Sequence, residues 1–318
     1  MSQMGDEKDM VPPSESSRLE SSNGFVEYIG SNKLKDKKVL ITRGESVASI
    51  LLSILRSLLT SRSSGIGRSV AVLMAREGAD ITIVYLPEEQ EDANVTKELV
   101  ENEKRSCLLI RGDLRNNKSM QAKYFPSAAS FAGSQIFSFV LYSRFKKINV
   151  LVNNASQQYI CKDFTQIELD QVEDLFRTNI LQMFAITKYA LPHVKGRLVR
   201  HIATVFAHRI INNTSVVTFR GSSSMVDYAS TKGAIVGFTR SLVLQLTPKG
   251  IRVNAVAPGA IYTPIQLDTR DPSSMEGWGS DKQLGRPGQP SEVAPASCSW
   301  LAKTVLSTDM GIPTKTCS

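Results

Sequence analysis

Residues 65–85 read GIGRSVAVLMAREGADITIVY, a glycine turn, a helix-length stretch and a strand in immediate succession. From Ile66 to Arg76 the spacing puts Val70, Leu73 and Met74 on one helical face. Asp80-Ile81-Thr82-Ile83-Val84-Tyr85 has the continuous apolar character of a buried strand, as does Lys38-Val39-Leu40-Ile41-Thr42 upstream. Further along, Glu88 to Glu103 has helical composition, Cys107-Leu108-Leu109-Ile110 reads as a third strand ending at Asp113, and Asn149-Val150-Leu151-Val152 as a fourth. Arg252-Val253-Asn254-Ala255-Val256-Ala257 adds another buried strand, ending at Pro258-Gly259. Strands alternating with helices imply right-handed βαβ units, so the expected fold class is α/β, a Rossmann-type doubly wound parallel sheet in a single domain. A short Gly-x-Gly string is often only a turn. Here, with a strand before and a helix after, Gly65-Ile66-Gly67 is read as a place where backbone amides approach a pyrophosphate at a helix N-terminus.

With 318 residues, 42% of them hydrophobic and 21% charged, the chain can bury one large core. Four cysteines, Cys107, Cys161, Cys298 and Cys317, have neither metal-ligand spacing nor dense pairing, so no metal site and a reducing, cytoplasmic compartment are expected. No apolar run reaches membrane-spanning length, and the N-terminus lacks a signal pattern. The net charge of +8 is concentrated. Residues 47–63 carry Arg56 and Arg62, 122–144 carry Lys123 and Arg144, and 195–209 carry Lys195, Arg197, Arg200 and Arg209, all without an acid. The remainder is near neutral and holds no basic stripe interleaved with aromatics, which argues against a nucleic-acid partner.

The chemistry is concentrated in Tyr228-Ala229-Ser230-Thr231-Lys232, with Ser215 upstream. Residues i and i+4 share a helix face, so phenol and ammonium address the same space. An ammonium beside a phenol favours the phenolate, bringing its pKa from about 10 toward neutrality, as a general acid/base for alcohols and ketones requires. A Tyr-x-x-x-Lys pair alone is equally an exposed helix face; its neighbours give it weight.

Ser215, Tyr228 and Lys232, preceded by Asn153-Asn154-Ala155-Ser156 and followed by Pro258-Gly259, resemble the short-chain dehydrogenase/reductase family. Tyr85-Leu86-Pro87-Glu88-Glu89-Gln90-Glu91-Asp92 and Gly285-Arg286-Pro287-Gly288-Gln289-Pro290 resemble its glucose/ribitol dehydrogenase-like subgroup. The resemblance implies an NAD(P)-dependent oxidoreductase moving a hydride between the nicotinamide cofactor and a small alcohol or carbonyl substrate: sugar, polyol, aldehyde or ketone. It implies a catalytic set of Ser215, Tyr228, Lys232 and Asn179, the last holding a water that relays protons through the lysine. Implied cofactor contacts are Thr42, Gly44, Gly65, Ile66, Gly67, Tyr85, Asp113, Leu114, Asn153, Asn154, Ala155, Tyr228, Lys232, Pro258, Gly259, Ile261 and Thr263. Asp113 reads equally as a helix N-cap. The second strand ends Tyr85-Leu86-Pro87 without the acid that would hold a free 2′-hydroxyl, so the cofactor is NADP or NAD with a lean to NADP. Residues 264–285, with Trp278, are expected to form a substrate lid.

The departures from the family pattern are equally specific. Residues 47–63 separate Thr42 from Gly65 inside the phosphate turn, and Arg43 replaces the motif's first glycine. Further intrusions occupy about 122–144 and 195–209, and the family's closing strand is not recognisable. These segments share acid-free, Ser-, Arg-, Leu- and Phe-rich composition and abrupt edges, and are read as translated intron sequence with a shifted frame at the end. The division expected is a disordered polar tail over 1–32, the domain over 33–296 and an aberrant tail over 297–318. A homo-oligomer is expected of the family and is put in question by the missing strand. Two functional classes follow: an active oxidoreductase, or a catalytically impaired binding protein on the same fold.

Overall fold

The structure, a computed structural model, describes residues 14–21, 24–42, 65–113, 148–194, 208–270, 273, 275–282 and 284–299. Its strands are β1 (Arg18–Ser21), β2 (Gly24–Glu27), β3 (Lys38–Thr42), β4 (Asp80–Tyr85), β5 (Cys107–Arg111), β6 (Val150–Asn153), β7 (His208–Asn213) and β8 (Ile251–Val256). Its helices are α1 (Gly65–Arg76), α2 (Gln90–Asn102), α3 (Leu169–Phe176), α4 (Gln182–Ala190), α5 (Val217–Arg220), α6 (Val226–Leu246), α7 (Pro264–Thr269) and α8 (Pro290–Ser299). Strands β3 to β8 form one parallel sheet in the order β5-β4-β3-β6-β7-β8. The order reverses between β3 and β6, which opens a crevice at the carboxyl ends of the strands, where such sheets bind ligands. This is the expected Rossmann-type arrangement. Among the described residues no strand follows β8.

Apolar runs make the strands because both faces of a parallel sheet are covered. On one face Val39, Ile41, Ile81, Ile83, Val150 and Val152 pack with Val70, Leu73 and Met74 of α1 and with Ala294 and Cys298 of α8. On the other, Leu40, Leu151, Ile210 and Val253 pack with Ile186 and Ala190 of α4 and Leu242 and Leu246 of α6. Helix α1 is buried on nearly every side, beyond the single apolar face its spacing suggested, because α8 and the segment from Ser17 to Tyr28 cover the side that would face solvent.

That segment corrects the expected division of the chain. Within the stretch read as a disordered tail, β1 and β2 pair antiparallel, and residues 28–33 are fastened to the end of α1. Arg76 donates to the carbonyls of Ser17 (3.0 Å) and Tyr28 (3.3 Å) and forms ion pairs with Glu27 (2.5 Å) and Glu103 (2.7 Å). Glu77, fully buried, accepts from the Tyr28 hydroxyl and from the backbone amides of Ser31 (3.0 Å) and Lys33 (2.9 Å). The stretch 195–209, expected to be an intrusion, includes residues of the sheet. His208 and Arg209 are strand residues of β7, and Arg209 is paired with Val150 on one side and Arg252 on the other. Burial, with the Arg252 charge beside it, pushes the Arg209 guanidinium down to about 9. Residues 297–299, placed in the expected aberrant tail, complete α8. Residues 47–63, 122–144, 195–207 and 300–318 lie outside the described residues, as do Gly44 and Leu114.

Burial alone would raise the Glu77 carboxyl, but the hydrogen bonds from Tyr28, Lys33 and Ser31 outweigh it and hold the group below its ordinary value. A depressed carboxyl stabilises the fold above its unfolded pKa and loses that contribution as pH falls through the folded value. Glu77→Gln should therefore cost about 1–3 kcal/mol at pH 7, the order expected when buried donors lose a charged acceptor. In thermal melts across pH, the gap between the two proteins should narrow below about pH 4; a constant gap would show that the carboxylate charge is not what holds the segment.

Candidate functional site

Strand β7 ends in Asn213, and Thr214 and Ser215 turn its chain toward α5. Thr214 Oγ1 donates to the Lys232 carbonyl at 2.8 Å, which pins α6 to the strand end. Lys232, 2% exposed, donates from Nζ to the Asn213 carbonyl at 3.1 Å, and the same Nζ lies 5.3 Å from the centre of the Tyr228 ring. Ser215 Oγ accepts from the Val217 amide at 3.4 Å. Ser215, Tyr228 and Lys232, 13 and 17 residues apart from the serine, line one cavity of about 330 Å³.

Ile66, Asn154, Pro258, Gly259, Ile261 and Thr263 border the same cavity, so with Tyr228 and Lys232 the structure gathers there eight of the seventeen residues that the resemblance implied for cofactor binding. Gly65 starts α1 directly against Thr263 and Pro290, and a Cβ there would lie 3.1 and 3.0 Å from their side chains. The close packing that brings a helix N-terminus to the cavity thus leaves little room for a side chain at this position. Asn213 also borders the cavity, and its buried Oδ1 has no hydrogen-bond partner. A helix N-terminus, an orphaned acceptor, a hydroxyl pair and a lysine suit a dinucleotide, whose ribose hydroxyls and phosphates need such groups.

Other expected residues support the site from behind. Thr42 Oγ1 accepts from the amides of Asn154 (3.0 Å) and Ala155 (3.3 Å), fixing the turn after β6. The two asparagines of that turn diverge. Asn154 accepts from Asn213 Nδ2 at 2.9 Å, whereas Asn153 donates to Asn212 (2.9 Å) and Thr187 (3.1 Å) within the packed layer. The Tyr85 hydroxyl, at the tip of β4, donates to Gln90 at 2.6 Å. Asn179 lies in a π-helical turn, Arg177–Leu181, between α3 and α4, a local widening common at functional sites. Its side chain accepts from the Gln157 amide (2.8 Å) and donates to the Gln157 carbonyl and Thr231 Oγ1, both at 2.9 Å. That amide is fully engaged, which makes it a strut between the β6 turn and α6.

Several lining residues lie outside the catalytic and cofactor sets that the resemblance implied. Gln158 Nε2 donates to Thr269 Oγ1 at 2.8 Å, linking the β6 turn to α7, while Arg220, Arg270, Trp278 and Lys282 form an outer wall. The expected lid over 264–285 is in part helical, as α7, and continues through turns carrying Trp278. Gly288 returns the chain to Ile261, with Tyr262 N donating to the Gly288 carbonyl at 2.8 Å.

Burial pushes Lys232 down to about 7 from its ordinary value of 10.5. A lysine with a depressed pKa opposes folding most at and below that value, because the unfolded chain keeps the proton in full solvation. Lys232→Met, of similar length and apolar, should therefore melt at a higher temperature than the parent at pH 6. The gain should shrink as pH rises toward 10. Equal melting temperatures throughout would show that the ammonium is solvated.

No helix among the described residues is long and apolar enough to cross a membrane, and no cluster of potential metal ligands occurs among them. The chain is 40% identical over 270 residues to the uncharacterized oxidoreductase YhdF of Bacillus subtilis, covering 85% of this chain and 78% of that one. It is 36% identical over 295 residues to NADPH-dependent aldehyde reductase 1, chloroplastic, of Arabidopsis thaliana, covering 91% and 88%. Its fold matches the crystal structure of a short-chain dehydrogenase/reductase of glucose/ribitol dehydrogenase type from Brucella melitensis with a TM-score of 0.64 at 23% identity, over 85% of this chain and 91% of the other. Residues 57–273 match the short chain dehydrogenase family, and with relatives of this similarity along most of its length the chain belongs to that family of oxidoreductases.

Proposed function

We propose that the protein is an NAD(P)-dependent carbonyl reductase and alcohol dehydrogenase, acting on an aldehyde, ketone, sugar or polyol. The observation that carries this reading is the convergence of Ser215, Tyr228 and Lys232 on one cavity bordered by the N-terminal turn of α1. When bound, the nicotinamide supplies or accepts the hydride. Tyr228 gives its hydroxyl proton to the carbonyl oxygen during reduction and takes it back during oxidation. Ser215 donates a hydrogen bond to the same oxygen and fixes its position relative to the tyrosine. Lys232 favours the phenolate while it is protonated, that is, below about pH 7 before ligands enter the cavity. Asn179 serves as a positioning residue through its bonds to Gln157 and Thr231.

Tyr228→Phe keeps the ring and removes the titratable group. Steady-state carbonyl reduction should fall by at least the ~10²-fold typical of a general acid/base. More than a tenth of the activity remaining would remove Tyr228 from this role.

For the cofactor we favour NADPH. Tyr85 ends β4 with its hydroxyl committed to Gln90, and no acid stands at that tip to bind a free 2′-hydroxyl. The Arabidopsis relative is described as NADPH-dependent. At equal concentrations NADPH should be oxidised faster than NADH; equal or reversed rates would withdraw the preference.

A further inference from the structure

The charge of the cavity is unbalanced. Its described lining includes four cationic side chains, Arg220, Lys232, Arg270 and Lys282, and a single carboxylate, Asp281. Asp281 is already partnered: Lys282 hydrogen-bonds it, and with Arg220 nearby holds its carboxyl below the ordinary range. Among the described residues Arg270 has no such counterpart. Its Nε donates to Gln266 Oε1 at 3.0 Å, and its guanidinium carbon lies 5.4 Å from the centre of the Trp278 ring. Those contacts fix the group and shield it in part, and burial lowers its pKa. Arg286, outside the cavity lining, shows the contrast: it pairs with both Glu292 and Glu20.

A guanidinium presents five N–H donors in a rigid fork, and only one of those of Arg270 is taken by Gln266. Arg270 is half-buried, and with the ring on one side its remaining donors are open to an anion that a ligand provides. We propose that the substrate of this site carries an oxyanion, carboxylate or phosphate, received by Arg270 in the cavity that holds Ser215 and Tyr228. The assignment rests on the carbonyl-reductase reading for the reacting end of the substrate and on Arg270 for its charged end.

The test uses the full chain and matched aldehydes: benzaldehyde against 4-carboxybenzaldehyde for the carboxylate, and glyceraldehyde against glyceraldehyde 3-phosphate for the phosphate. In at least one pair the charged member should have the higher kcat/KM by about ten-fold or more, the worth of one charge-assisted pair. The ratio should fall toward one in Arg270→Gln, with a melting curve confirming that the variant folds. The pair showing the preference identifies the anion. Parity in both pairs overturns the proposal whether or not the variant folds, and so does a preference that survives Arg270→Gln. Calorimetric titration with benzoate and with inorganic phosphate separates the two layers of the argument. If neither aldehyde class turns over but one anion binds in an Arg270-dependent way, the reductase reading fails and the anion site stands. If there is neither turnover nor Arg270-dependent anion binding, the anion site is overturned.

Discussion

One lysine ammonium, removed from water beneath the end of a strand, is the constraint around which the site is arranged. Lys232 reaches the Asn213 carbonyl, and the carbonyl of Lys232 itself accepts from Thr214, so α6 and β7 are tied by two bonds in opposite senses. That tie sets the rotation of α6 and therefore where Tyr228, one turn earlier, stands relative to Ser215. Behind it runs a polar ladder from Thr187 through Asn153 and Asn212 to Thr239, which passes through the apolar layer between the sheet and its helices. Buried polar groups of this kind hold one arrangement because any slippage leaves a donor unmet. The precision of the site thus comes from the sheet rather than from the loops that surround it.

The sheet was legible from residues alone because a parallel strand covered on both faces reads as an uninterrupted apolar run. β3 and β4 have the expected bounds, and β6 and β8 begin within one residue of them. The Tyr-x-x-x-Lys spacing likewise survived, since it depends only on helical geometry. What escaped was whatever depends on contacts distant in sequence. The hairpin of β1 and β2 is short and largely exposed, with no buried alternation to betray it; Arg76 and Glu77 hold the carbonyls and amides of the residues that flank it. His208 and Arg209 read as part of a basic, acid-free stretch, yet their backbone continues the ladder of β7.

The adjoining asparagines make the same point at finer scale. Successive strand residues face opposite ways, so Asn153 and Asn154 were bound to serve different layers, but the residue at which the strand gives way to the turn decides which one meets the cavity. Asn179 belongs to this group too. The family resemblance implied a part in proton relay, and the structure adds that its amide fastens a π-turn against α6, a contact no motif announced. Arg270 and Trp278 fall in the stretch read as a substrate lid, but its turn-rich composition could not say which of its side chains would face the cavity.

Cys298 ends the account of the fold with a practical corollary. The thiol is 1% exposed where α8 lies on α1, and burial, aided by the Glu77 charge, pushes it up to about 12. Alkylating reagents attack the thiolate, so at neutral pH this sulfur is masked twice, by access and by ionisation. Its labelling must wait until α8 lifts away, while Cys107 and Cys161 are partly open to solvent in the closed molecule. Site-resolved labelling at Cys298 is therefore a built-in clock for the breathing of the helix pair that brings Pro290 against Gly65, beside the cavity.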